Sequence, residues 1–128
     1  MKFKNLMVIK AIVCLAFGIL LLAVPDKLLS IFGATLSGGG IFTAREYGSS
    51  LFGNLFICWF AKDAAESDAR RAIILGLFVY DLIAFIMTLI TVIAGVLNPL
   101  GWLIVFIYLF FTLGFGYFLV KPPLAKNT

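Results

Sequence analysis

The sequence predicts an all-α integral membrane protein: a four-helix bundle with four transmembrane helices, both termini cytoplasmic, and a short interfacial helix in the first outer loop. Three observations carry that prediction. The first is composition: 63% of the 128 residues are hydrophobic and only 12% are charged, with a mean hydropathy of +1.15. Soluble domains carry about 25% charged residues, so this chain lacks the polar groups to cover a surface in water. The second is the division of the chain into four apolar segments near the roughly 20 residues that span a hydrocarbon core. The third is the placement of the positive charges. Lys2, Lys4, Lys10, Lys62, Arg70, Arg71, Lys121 and Lys126 fall on one side of the predicted spans, and only Lys27 and Arg45 on the other. By the positive-inside rule the crowded side is cytoplasmic, which places the protein in the cell (inner or plasma) membrane as a single membrane domain over residues 1–128.

The first segment covers residues 8–24 and is stopped by Pro25-Asp26. It reads as a transmembrane helix rather than a signal peptide, because Leu21 spoils a cleavage site after Ala23. Residues 26–32 follow as an amphipathic helix lying in the outer interface, with Leu28, Leu29, Ile31 and Phe32 as its apolar side. Gly38-Gly39-Gly40 then reads as a flexible turn. The second segment, 44–61, ends at Lys62-Asp63. The charged run 62–71 is a solvated connector, with Ser67 or Asp68 as N-cap of the next helix. The third segment, 72–97, meets Asn98-Pro99, and the fourth, 100–120, meets Lys121-Pro122-Pro123. The short third connection predicts a tight antiparallel hairpin.

Charges inside the membrane single out the candidate site. Asp81 falls about 13–14 Å along the third segment, near the midplane. An ionised carboxylate facing lipid there costs about 2.5–3.5 kcal/mol, so it must be protonated, paired or turned to a cavity. Asp81, Ala84, Thr88, Thr91 and Gly95 form one small, polar stripe. Glu46, Ser49, Ser50, Gly53 and Ile57, with Asn54 alongside, form another, and Tyr108, Thr112 and Gly116 a third. Small residues allow close helix approach, and the stripes are expected to meet in the bundle interior. Asp81 is then a neutral acid bonded to Ser50, Asn54 or Tyr108, or part of a ligand cavity. Arg45 and Glu46 lie near the outer headgroups. They point about 100° apart around their helix, so Asp26, a loop carbonyl or a lipid phosphate suits Arg45 as well as Glu46 does. The ligand-binding candidates are therefore Arg45, Glu46, Ser50, Asn54, Asp81, Tyr108 and Thr112.

Other chemistry is poorly served. The chain contains no His, which removes His-ligated haem, His-containing zinc sites and His acid–base catalysis. No metal site, cofactor or catalytic motif is expected. Cys14 and Cys58 read as small apolar fillers, with a thiol pair as the alternative. The net charge of +4 lies in fringes of apolar segments rather than a basic patch, so lipid headgroups suit it and nucleic acid does not.

The run Arg45-Glu46-Tyr47-Gly48, the stretch ARRAIILG at 69–76, Asp81, NPLGW at 98–102 and GYFL at 116–119 resemble small bacterial four-helix membrane proteins of unknown function related to the DoxX-like group. The resemblance implies a left-handed four-helix bundle and no particular chemistry. A wider likeness, to four-helix proteins of the sterol-isomerase and sigma-2-receptor type, implies a hydrophobic ligand held beside buried carboxylates, with Glu46 and Asp81 in those roles. The leading expectation is binding of a lipid-like or hydrophobic small molecule, or an accessory role beside a membrane-protein partner or a second copy. A proton-linked carrier and a membrane isomerase are the alternatives.

Overall fold

The computed structural model describes residues 1–121 as five helices in the order α1 (Phe3–Ala23), α2 (Pro25–Ile31), α3 (Gly38–Ala61), α4 (Asp68–Ile93) and α5 (Gly101–Val120). Among the described residues there is no strand. The all-helical class, the short second helix and the long helices match the expectation. Three of the helices, α1, α4 and α5, are long and apolar enough to cross a membrane. Pro122, Pro123 and Lys126, which entered the sequence reading, lie outside the described residues.

Several boundaries differ from expectation for local reasons. α1 begins at Phe3 rather than near residue 8, so Lys10 lies about 10 Å inside the helix rather than at its fringe. The triple glycine is no flexible turn: it forms the first turn of α3, with Ser37 as N-cap accepting from Gly40 N at 3.5 Å. Ser67 caps α4 in the same way, accepting from Arg70 N at 3.1 Å. α4 stops at Ile93, short of the expected 97, because Gly95 adopts φ +80°. Gly95 N reaches Val92 O and Val96 N reaches Thr91 O, the bonding pattern of a Schellman cap. Gly33, at φ +83°, closes α2 with the same pair of bonds, to Ser30 O and Leu29 O.

α1 packs most extensively on α3, and α4 on α5. The α1–α3 contact is close because two glycines meet there. A Cβ on Gly48 would stand 3.0 Å from Leu21 Cβ and 3.2 Å from Gly18 O. The two helix pairs join at the end bearing Phe3 and Phe118, where Leu6, Met7, Phe111, Phe115 and Leu77 are buried together. At the opposite end the second core cluster, around Cys14, Leu21, Leu28, Phe32 and Leu51, draws α2 over the bundle. Asn98 clamps that cover. Its Nδ2 donates to Ile31 O at 2.9 Å and its backbone N to Phe32 O at 2.8 Å.

The charged run 62–71 does more than connect. Arg71 donates to Leu119 O at 3.0 Å, satisfying an orphan carbonyl in the last turn of α5. The Arg70 guanidinium lies 4.0 Å from the Phe3 ring centre and donates to Ala64 O. Asp63 bridges Lys4 at 3.1 Å and Lys62 at 3.3 Å. Those two ammonium groups, Lys4 first, hold the Asp63 carboxyl below its usual value of 3.8. A depressed folded-state pKa contributes stability that is present above the unfolded value and lost as pH falls through the folded one. Both side chains of the Lys4 pair are more than half exposed, so the effect is small and screened by salt. Asp63→Asn is expected to leave stability at pH 7 nearly unchanged while flattening its fall below about pH 4, read by thermal unfolding across a pH series.

Candidate functional site

The site begins with Lys10. On α1 it shares the inward face with Met7, Ala11, Cys14, Gly18 and Leu21, at helical steps of three and four. It is 2% exposed, and its Nζ lies 2.5 Å from Oδ1 of Asp81, which is fully buried on α4. The ammonium also sits over two aromatic faces, Tyr80 at 4.8 Å and Phe111 at 4.6 Å to the ring centres. The Asp81 question is thereby answered: its partner is a lysine, not Ser50, Asn54 or Tyr108. Among the described residues, Asp81 Oδ2 has no hydrogen-bond partner.

Beside this pair lies a cluster of three tyrosines. Tyr47 of α3 shares hydrogen bonds with Tyr80 of α4, at 2.6 Å, and with Tyr108 of α5. The Tyr80 and Tyr108 rings meet edge to face at 6.3 Å. Three phenols supply three O–H donors, and two bonds within the cluster use two of them. One proton remains for an outside acceptor. Thr112 turns its hydroxyl back along α5, donating to the backbone Tyr108 O at 2.7 Å.

Lys10 and all three tyrosines line a cavity of about 570 Å³, within the range of small-molecule sites. Its walls are otherwise almost wholly apolar. α1 contributes Val13, Cys14, Phe17 and Leu21; α3 contributes Ala44 and Leu51; α5 contributes Ile104, Ile107 and Phe111. Leu28, Leu29 and Phe32 of the α2 segment form a lid-like cover. Gly39 and Thr43 both line the cavity and are exposed, so it reaches the surface beside the first turns of α3. Among the described residues Lys10 is the one charged residue in the lining, and Asp81 stands behind it, outside the lining.

The comparisons with known proteins add nothing to this geometry. No family model, curated protein or solved structure matches the chain.

The predicted site residues are placed unevenly. Tyr108 lines the cavity, while Asp81 and Thr112 are buried just outside its lining. The α3 stripe does not join them. Arg45, Glu46, Ser49, Ser50, Gly53 and Ile57 are exposed, and Asn54 is half-buried without lining the cavity. The cause is rotational: α3 turns Gly48, Leu51, Cys58 and Ala61 inward to meet α1, which carries the polar stripe to the outside. Arg45 takes a carbonyl, Leu22 O, at 3.3 Å. The residues that sequence reasoning missed are Lys10, Tyr47 and Tyr80. Lys10 was legible in part, since it falls in phase with Met7, Cys14 and Leu21. Cys14 and Cys58 are both free and buried.

Proposed function

We propose that the protein binds an amphipathic, mainly apolar small molecule in this cavity, with the polar end of the ligand at Lys10 and the tyrosine cluster. The observation that carries this reading is the cavity itself: apolar walls of about 570 Å³ ending at one ammonium and three phenols. Such an end suits a hydrogen-bond acceptor, a carbonyl or a hydroxyl, on a hydrocarbon or ring-bearing body. It suits a phosphate poorly, because Asp81 already pairs with Lys10, the cation that the described lining offers.

The same proposal takes the protein as a four-span protein of the cell membrane with cytoplasmic termini. Supporting this are the three long apolar helices, the 24-residue length of α3, and the gathering of Lys4, Lys62, Arg70 and Arg71 at the end of the bundle bearing the N-terminus. α3 is less apolar than the others because of its exposed Arg45, Glu46 and serines. At 24 residues it still extends about 36 Å, enough to cross.

Native mass spectrometry of protein extracted from its own membranes in mild detergent tests the reading. One bound small molecule per chain is expected. Ala44, half-buried in the cavity wall, gives the matching variant. Ala44→Trp fills the space and is expected to lose the bound species while unfolding at a similar temperature. Retention of the same species by Ala44→Trp, or none bound by either protein, overturns the reading.

A further inference from the structure

Lys10 stands between a carboxylate and an apolar space. On one side Asp81 Oδ1 lies 2.5 Å from its Nζ; on the other is the cavity, in which it is the one charged lining residue among those described. The other lysines of the described chain differ in kind. Lys2, Lys4, Lys27 and Lys121 are exposed, and Lys62 lies half-buried over Trp59. A lysine amine desolvated in an apolar pocket is a nucleophile toward carbonyl carbon, and a lone intramembrane carboxylate is suited to serve as counter-ion to a cationic adduct.

We propose that Lys10 captures a hydrophobic aldehyde as a protonated Schiff base, with Asp81 as its counter-ion. The inference rests on the reading that the cavity binds an apolar molecule with a polar end, and specifies that end as an aldehyde. The geometry provides each step. Lys10 passes one proton to Asp81, and its lone pair forms a C–N bond to the carbonyl carbon. The C–O π bond breaks toward oxygen, which takes the proton left over in the Tyr47–Tyr80–Tyr108 cluster, and the positively charged nitrogen of the adduct returns a proton to that phenolate. The neutral carbinolamine then loses water, its hydroxyl leaving with the last proton on nitrogen to give the imine, and the proton held by Asp81 returns to the imine nitrogen. In sum, one aldehyde and one alkylammonium give one iminium and one water, with no oxidant or reductant. The fully buried Asp81 then faces a cation again, as it does before the reaction. Apolar walls limit the return of water that would hydrolyse the adduct.

The test uses the full-length protein in lipid nanodiscs with hexadecanal, and sodium cyanoborohydride to fix any imine as a secondary amine. Peptide mapping by mass spectrometry is expected to find Lys10 alkylated at least about tenfold faster than Lys2, Lys4 or Lys27. The mapping needs no variant, so it does not depend on a mutant folding. Lys10→Arg, which keeps the charge beside Asp81, is expected to lose the cavity adduct and keep the slow surface ones. Hexadecanol, which has the same chain and no carbonyl, is expected to compete. Binding of hexadecanol by native mass spectrometry with no preferential Lys10 alkylation overturns the Schiff base and leaves the binding reading standing. Alkylation of Lys10 no faster than that of surface lysines, with no binding of hexadecanol, counts against both.

Discussion

Asp81→Leu is expected to lower the stability of the folded chain by about 3–5 kcal/mol, the usual cost of removing one member of a buried ion pair. Lys10 is 2% exposed and, among the described residues, has no second carboxylate beside it. Its remaining neighbours, the Tyr80 and Phe111 faces, each attract a desolvated cation by about 2 kcal/mol, but carry no net negative charge to replace the carboxylate. The lysine must then stay charged without a partner or lose its proton, and either route costs folding free energy. The double variant Lys10→Met, Asp81→Leu removes both charges and fills similar volume, so most of the loss is expected to return. A double-mutant cycle measured by thermal or denaturant unfolding in detergent reads the coupling directly. If the double variant is as unstable as the sum of the singles, the pair is not coupled and the site is misassigned.

Gly48→Val is the second large effect, expected to cost about 1–3 kcal/mol by overpacking. The new side chain has nowhere to go. Even its Cβ would stand 3.0 Å from Leu21 Cβ and 3.2 Å from a backbone oxygen, Gly18 O, which cannot swing aside as a side-chain tip can. Relief requires α1 and α3 to separate along the most extensive helix contact in the fold. The same separation would shift Lys10 relative to Asp81, and Tyr47 relative to Tyr80 and Tyr108. Weaker retention of any cavity ligand is therefore expected together with the lower unfolding temperature. Gly53→Val is the internal control: a Cβ there has nothing within 4 Å. It lies on the same helix, five residues on, and is expected to leave stability within about 0.5 kcal/mol of the parent.

How far the site was legible depends on which periodicity is consulted. The α3 stripe of Glu46, Ser49, Ser50, Gly53 and Ile57 is real as a stripe, and its helical spacing is correct. Spacing fixes which residues share a face, but not which way that face turns. In water the hydrophobic effect decides the direction, because polar faces go outward. Where most of the surface is apolar that criterion fades, and packing decides instead. Here the fit of Gly48 against Gly18 and Leu21 outweighs the polarity of the opposite side. Lys10 illustrates a second limit. Six positions separate Lys4, a topogenic charge in the N-terminal fringe, from the buried Lys10, and the difference rests on where the helix begins.

The sequence alone determined the class of this protein. Its apolar content, its long helical segments, the cap at Ser67 and the stop at Pro25 follow from composition and local chemistry, which act over a turn or two of chain. It also determined that Asp81 must be protonated, paired or turned to a cavity, since a bare carboxylate facing lipid is too costly. Only the tertiary structure decided that the partner is Lys10, 71 positions away, and that Tyr47, Tyr80 and Tyr108 from three helices converge beside it. Those pairings depend on the rotation of each helix about its own axis and on the depth to which it is set. Both are fixed by glycine contacts and helix caps at a distance from the site, through steric fit that no single segment carries in its own residues.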